Sequence, residues 1–255
     1  MAWYPLAVKK NINPGPNDPP IKVVGAILHV DSGDSKSLYG YFANASGGIE
    51  SHFFVKKDGS VEQYRDTGYE ADANLKANSF VSGGVRKGFV SIETQGLDKG
   101  TWTPPQLLAI KVLLTWLAGV HQFPLKKCDN PQGPGVGYHT MFGAPGPWTP
   151  VAKDCPGPDR IRQFNNVLVP WFSTFHAPSG GVIETPGKVV DMDELLAAVK
   201  ALGDAETKRY ADIVNKLKTQ DRIALGRYQE FHATNIRLEE KIDALTPISG
   251  AETLA

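Results

Sequence analysis

The 255-residue chain lacks several things, and each absence excludes something. It has two cysteines, Cys128 and Cys155, too few for a disulfide framework. It has no excess of charge: 27 Lys and Arg face 27 Asp and Glu, so the basic footprint of a nucleic-acid binder is missing. No apolar run reaches membrane-spanning length, and the longest, Leu107 to Val120, is broken by Lys111; no membrane insertion is expected. The opening Met-Ala-Trp-Tyr-Pro lacks the basic region and apolar stretch of a signal peptide, so the expectation is synthesis without an export signal. GxGxxG, P-loop, HExxH, GxSxG and CxxC patterns are all absent. An active site here has to be assembled from distant segments.

What is present describes an ordinary globular chain, with 41% hydrophobic and 21% charged residues, which excludes wholesale disorder. The composition changes near residue 177. Residues 1–176 carry a net charge of +3, and residues 177–255 carry −3 with no Trp and no Cys. The Pro-, Gly- and Ser-rich stretch from Ala177 to Gly187 resists regular structure. The reading is therefore a first domain at 1–176, a linker at 177–190 and a helical domain at 191–255.

The first domain reads as mixed α/β. Lys22 to Val30 is a strand covered on both faces, and Gly88 to Gln95 is another. His52 to Tyr64 is a hairpin around Asp58-Gly59. Thr103 and Pro104 open a helix whose apolar face is Leu107, Ile110, Leu113, Leu114, Leu117 and Val120. A last helix starts near Asp159 and carries Ile161, Phe164, Leu168 and Trp171, with Pro170 ending or kinking it. Between these helices, residues 129–158 hold 13 Gly or Pro and show no periodicity, the mark of a long loop. That loop also carries Tyr138, His139, Phe142, Trp148 and Cys155, more ordering side chains than a solvated linker needs.

In the tail, Leu217, Ala224, Phe231, Leu238 and Leu245 recur every seven residues. Val214, Asp221, Tyr228, Asn235 and Ile242 precede them by three. This heptad pattern predicts a coiled coil forming a homo-oligomer, or else a helical hairpin on Met192–Leu202 or a plain amphipathic helix.

The chemistry-bearing residues are few. His29 ends the first strand, His139 lies in the Gly/Pro-rich loop, and Cys155 follows it by 16 residues. Together they make a His, His, Cys set with one position left for water, the pattern of a catalytic zinc site. His52, His121, His176 and Cys128 compete for the same role. Lys153 shares a side with Cys155 if the segment is extended, as the residue before Pro156 favours, and its ammonium then stabilises an oxyanion. Glu93 sits at the end of an apolar strand, where burial raises a carboxylate toward the pKa of a general base; pairing with Lys or Arg is the competing reading.

The series AILHVDSG, GGIESHFFVKKDGSVEQYRDT, VSIETQG, GVGYH and PVAKDCPGPDR resembles the zinc-dependent N-acetylmuramoyl-L-alanine amidases of the type-2 amidase and peptidoglycan-recognition-protein superfamily. The likeness is strongest to endolysins of bacteriophages that infect actinobacteria, and it covers roughly residues 1–176. It implies a mixed central β-sheet flanked by helices, with zinc (Zn2+) held by His29, His139 and Cys155 in a surface groove. It also implies Glu93 as the acidic residue of catalysis and Lys153 as the oxyanion-stabilising lysine. The implied substrate is bacterial peptidoglycan, cut between N-acetylmuramic acid and L-alanine. The implied location is the host cytoplasm until lysis, then the wall, reached through a holin pore. Two positions depart from the pattern: Ser51 stands where many phage members carry a catalytic Tyr, and Tyr69-Glu70 replaces a frequent Trp-His pair. The alternative is a non-catalytic peptidoglycan-binding protein of the same superfamily, against which Cys155 and Lys153 both argue.

Overall fold

The computed structural model describes residues 2–12, 18–44 and 49–174. The chain divides into units Met1–Lys188 and Val189–Ala255, and every described residue belongs to the first. The linker, the heptad stretch and His176 lie outside the described residues.

A seven-stranded mixed sheet forms the centre, flanked by helices. Its strands are β1 (Val8–Lys9), β2 (Lys22–Leu28), β3 (Phe53–Val55), β4 (Val61–Gln63), β5 (Phe80–Ser82), β6 (Val85–Thr94) and β7 (Gly135–Tyr138). The spatial order is β1-β4-β3-β6-β2-β7, and β5 pairs with the start of β6. Strands β3, β6, β2 and β7 run parallel to their neighbours in that order, while β3–β4 and β5–β6 are antiparallel.

Alternation along the central strands sorts the side chains by face. Ala26, Leu28, Val90, Ile92, Phe53, Val55 and Val136 point into the main core. That core is closed by Ile110, Leu113, Leu114 and Leu117 of α2 (Pro104–His121) and by Phe164, Leu168 and Phe172 of the last helix. The predicted face of α2 is therefore buried at Ile110, Leu113, Leu114 and Leu117, while Leu107 is half-buried and Val120 at its end is exposed. Truncating a side chain such as fully buried Phe53 to Ala costs about 3–5 kcal/mol. On the opposite face Ile27 and Phe89 pack with Trp148, and the row continues toward polar residues.

The start of α2 is capped as its sequence predicts. Thr103 Oγ1 accepts from Gln106 N at 3.2 Å, and Gln106 Oε1 accepts from Thr103 N at 3.0 Å. The same glutamine donates from Nε2 to the carbonyls of Val55 and Gln95, which ties the cap to β3 and to the end of β6.

Two expectations need correction. The long loop contains β7, which pairs with β2 over four residues. Composition hid this strand, because Gly137 serves packing and Gly135 holds φ 140° inside the strand, so neither glycine ends it. A Cβ on Gly137 would lie 2.6 Å from the Trp148 ring, and a Cβ on Gly25 of β2 would lie 1.8 Å from the Gly135 carbonyl. Of the two outcomes expected at Pro170, ending is not what the chain does, and the helix is instead interrupted just before it. It runs as α3 (Pro158–Gln163), a π-helical turn (Phe164–Leu168) and α4 (Val169–Thr174), with Pro170 in the first turn of α4. The π turn immediately before the proline accommodates its missing N–H and its ring. Strands β1 and β5, the short helix α1 (Tyr39–Asn44) and a 3₁₀ segment (Asp72–Ala77) add to what the sequence pattern foretold.

Candidate functional site

Register assembles the site. Leu28 of β2 pairs with Ile92 of β6 and with Tyr138 of β7. One residue on, His29, Glu93 and His139 stand level at the carboxyl ends of three adjacent parallel strands, the usual place for a site in such sheets. The ladder continues past the strand ends: His29 N donates to Ile92 O at 2.9 Å, and His139 N to Leu28 O at 3.2 Å. Thr94 Oγ1 donates to His29 O at 2.6 Å and accepts from Trp102 Nε1 at 2.9 Å, so a buried indole braces the His29 backbone. The two imidazole rings meet edge to face with centroids 4.4 Å apart. Glu93 Oε1 is 3.9 Å from His29 Nδ1.

Cys155 comes to this row from the loop before α3. Its Sγ lies 3.7 Å from His29 Nδ1 and accepts from Val30 N at 3.4 Å. Its carbonyl accepts from Thr140 Oγ1 at 2.9 Å, which links it to the turn after His139. Buried Arg160 donates from Nη1 to Leu97 O at 2.8 Å and to Pro156 O at 3.2 Å, tying the Cys155 turn to the segment after β6. Lys153 Nζ lies 3.4 Å from His139 Nδ1. Lys153, Cys155, Glu93 and His29 line one groove together with Tyr41, Ile49 and Leu75.

The groups sit in a dry setting that suppresses charge. Burial lowers His29 to about 3; its bond to Asn74 opposes this and Lys153 adds to it. Burial, then His29 and Lys153, lower His139 to about 2. Burial and then Glu93 push the Cys155 thiol up to about 12, with Val30 N–H, Lys153 and Arg160 opposing. Burial and Asp31 raise Glu93 to about 8 against the pull of Lys153. Two neutral imidazoles and a thiol offer the donor atoms that a divalent ion takes, since the ion converts the thiol to thiolate on binding. One ligand atom from each of His29, His139 and Cys155 lies within 4.8 Å of the others. His139 Nε2 is buried without a hydrogen-bond partner. The donor set of two imidazoles and one thiolate suits zinc.

The competing candidates are accounted for elsewhere. His52 donates from Nε2 to Tyr69 O at 2.9 Å and accepts at Nδ1 from Ser91 N at 3.0 Å, a structural imidazole. His121 Nε2 meets Thr67 Oγ1 at 2.8 Å. The Cys128 thiol faces the carbonyls of Asn130 and Gly133. Ser51 is buried and donates to Ser91 O at 2.9 Å, so its hydroxyl is turned away from chemistry. A second acidic group, Asp18, Glu50 and Asp72, also clusters, but the Arg65 guanidinium bonds to both Asp18 and Glu50 and supplies the cation. Sequence reasoning missed Asn74 and Arg160. Asn74 Oδ1 lies 2.7 Å from His29 Nε2, and it sits in an aperiodic segment 45 residues away in sequence.

No protein-family model matches the chain, and no curated protein matches it. Among solved structures it is similar to the N-acetylmuramoyl-L-alanine amidase LysC from Clostridium intestinale URNW, at 14% identity and a TM-score of 0.42, over 61% of this chain and 93% of that one. It is similar to the catalytic domain of XlyA at 15% identity and a TM-score of 0.45, over 66% and 97% of the two chains. It is also similar to the drosophila peptidoglycan recognition protein SD at 12% identity and a TM-score of 0.46, over 64% and 96%.

Proposed function

We propose that this chain is a peptidoglycan hydrolase that cleaves the amide bond between N-acetylmuramic acid and the L-alanine of the stem peptide. The observation that carries the reading is the level row His29–Glu93–His139, completed by Cys155 and Lys153 in one groove. The resemblance of the five sequence segments to zinc amidases points to the same chemistry.

In this reading His29, His139 and Cys155 hold zinc. When bound, the ion supplies the Lewis acidity that makes water a nucleophile at neutral pH. Glu93 accepts the proton of the attacking water; its raised pKa makes its carboxylate a stronger base than an exposed glutamate. The same carboxyl then returns the proton to the departing alanine nitrogen, so the amine leaves neutral. Lys153 faces the groove from the His139 side and stabilises the negative charge that develops on the lactyl carbonyl oxygen. That charge is largest in the transition state, so the contact accelerates the step instead of merely tightening binding. The glycan and a free stem peptide are the products. Residues 1–176 carry this activity, and 191–255 serve wall targeting or self-association. The place of action is the cell wall, after release from the host cytoplasm at lysis.

The reading is tested by digesting purified peptidoglycan and scoring new N-terminal alanine and new reducing sugars separately. New alanine without reducing sugars supports it. Reducing sugars mark a glycosidase and refute it, and wall binding with neither product marks a non-catalytic binding protein.

A further inference from the structure

Asn74 is fully buried between two groups that dictate how its amide is turned. On one side its Nδ2 lies 2.7 Å from the carbonyl of Phe89 on β6. A carbonyl can only accept, so the amide NH₂ must face it; the opposite rotamer would set two oxygens against each other. On the other side Asn74 Oδ1 therefore faces His29 Nε2 at 2.7 Å. An amide oxygen also can only accept, so His29 Nε2 carries the hydrogen. A neutral imidazole has one N–H, and its other nitrogen keeps a lone pair. That nitrogen, Nδ1, is the one 3.7 Å from Cys155 Sγ.

The alternative tautomer has a rival acceptor waiting. Glu93 Oε1, 3.9 Å from the same Nδ1, lies on that side of the ring, and a proton placed on Nδ1 toward it would remove the lone pair from the Cys155 side. We propose that Asn74 is a positioning residue that decides this contest: the chain Phe89 O, Asn74 amide, His29 ring holds His29 as the Nε2–H tautomer and presents Nδ1 as a ready metal ligand. The inference rests on the metal-site reading above.

The backbone holds Asn74 to this task. Ala73 N donates to Glu50 O at 3.0 Å, and Lys76 N to Trp148 O at 3.1 Å, so the segment is tied on both sides of Asn74. Between them Leu75 adopts φ 54° and ψ −117°, a conformation that residues with a side chain rarely take. The fold retains this strain immediately beside the amide that orients His29.

The test uses the full chain, stripped of metal. Nitrogen-15 spectra of the histidine rings report the tautomer directly, and competition with a chromophoric chelator reports zinc affinity. The wild-type chain is expected to show His29 as Nε2–H. Asn74→Leu, checked for folding by its thermal melt, is expected to shift His29 toward Nδ1–H and to weaken zinc binding about 10–100-fold. Asn74→Asp keeps an acceptor toward Nε2 but sets its second oxygen against Phe89 O, so it is expected to melt earlier than wild type while keeping His29 as Nε2–H and binding zinc more tightly than Asn74→Leu, a split that a purely structural role would not predict. A wild-type His29 found as Nδ1–H, or a folded Asn74→Leu that binds zinc as tightly as wild type, overturns the role of Asn74 while leaving the metal site standing. A wild-type chain that binds no zinc refutes the metal-site reading itself, and the purpose assigned to Asn74 with it.

Discussion

Cys155 Sγ and His29 Nδ1 stand 3.7 Å apart across 126 residues of chain. Burial pushes the thiol up to about 12 and lowers the imidazole to about 3, so both are neutral until a divalent ion takes the imidazole lone pair and displaces the thiol proton. Cys155→Ala removes the one anionic donor of the set. The expected result is loss of bound zinc, measured as metal per chain after gel filtration, together with loss of hydrolysis. Full zinc occupancy in Cys155→Ala would contradict the ligand assignment.

Lys153 separates binding of metal from catalysis. Its Nζ lies 3.4 Å from His139 Nδ1, but it donates no ligand atom. Lys153→Ala is expected to retain zinc and to lower turnover about a hundred- to a thousandfold, the usual effect of removing an oxyanion donor. Steady-state cleavage of a muramyl-peptide substrate, alongside metal analysis, checks both halves.

Glu93→Gln keeps the shape of the side chain and removes the base. Turnover is expected to fall about a hundred- to ten-thousandfold with zinc retained. Glu93 Oε2 is buried without a hydrogen-bond partner, so the substitution breaks no hydrogen bond at that atom and the variant is expected to melt close to wild type.

Far from the groove, Glu62 on β4 carries a pH signature. Burial alone would raise it, but Lys56, Ser37, Tyr64 and Lys10 bond to it and bring it down from 4.5 to about 2. A carboxylate with a depressed folded-state pKa stabilises the fold above its unfolded pKa and loses that contribution as pH falls through the folded value. Glu62→Gln is therefore expected to cost about 2 kcal/mol at neutral pH. The difference from wild type should shrink between pH 4.5 and about 2. Urea midpoints at several pH values measure it, and a constant difference would contradict the assignment.

Backbone packing between β2 and β7 makes a sharper prediction. Gly25→Ala drives its Cβ to within 1.8 Å of the Gly135 carbonyl oxygen, a backbone atom held in the β2–β7 ladder, and to 3.0 Å from the Phe89 ring. The expected cost exceeds about 4 kcal/mol, visible as loss of soluble protein or a collapsed melting temperature. Gly40→Ala in α1 meets nothing within 4 Å and serves as the contrast, with a gain of about 0.5–1 kcal/mol.

These predictions differ in how much of their basis the sequence revealed. The long strands, the Asp58-Gly59 hairpin and α2 were legible because apolar periodicity and capping residues act locally. His29, Glu93, His139, Lys153 and Cys155 were legible as residue types that suit one chemistry, and the resemblance grouped them. Their level alignment was not, because it depends on β7, and β7 is built from Gly-Val-Gly-Tyr, whose glycines are there for the Trp148 ring and the neighbouring backbone. Asn74 was invisible for a different reason. Its role comes from two contacts, to His29 and to Phe89, that only the folded chain creates. Pro170 marked an irregularity in the last helix, but the form it takes, a π turn with the helix resuming after it, leaves no mark in the sequence.

The most direct test of the central claim is restoration of activity by metal. The chain is stripped with a chelator, dialysed, and assayed on purified peptidoglycan for new N-terminal alanine before and after addition of one equivalent of zinc. The account predicts no release from the stripped protein, recovery on adding zinc, and no reducing sugars at any stage. Alanine release that survives complete removal of the metal would contradict it.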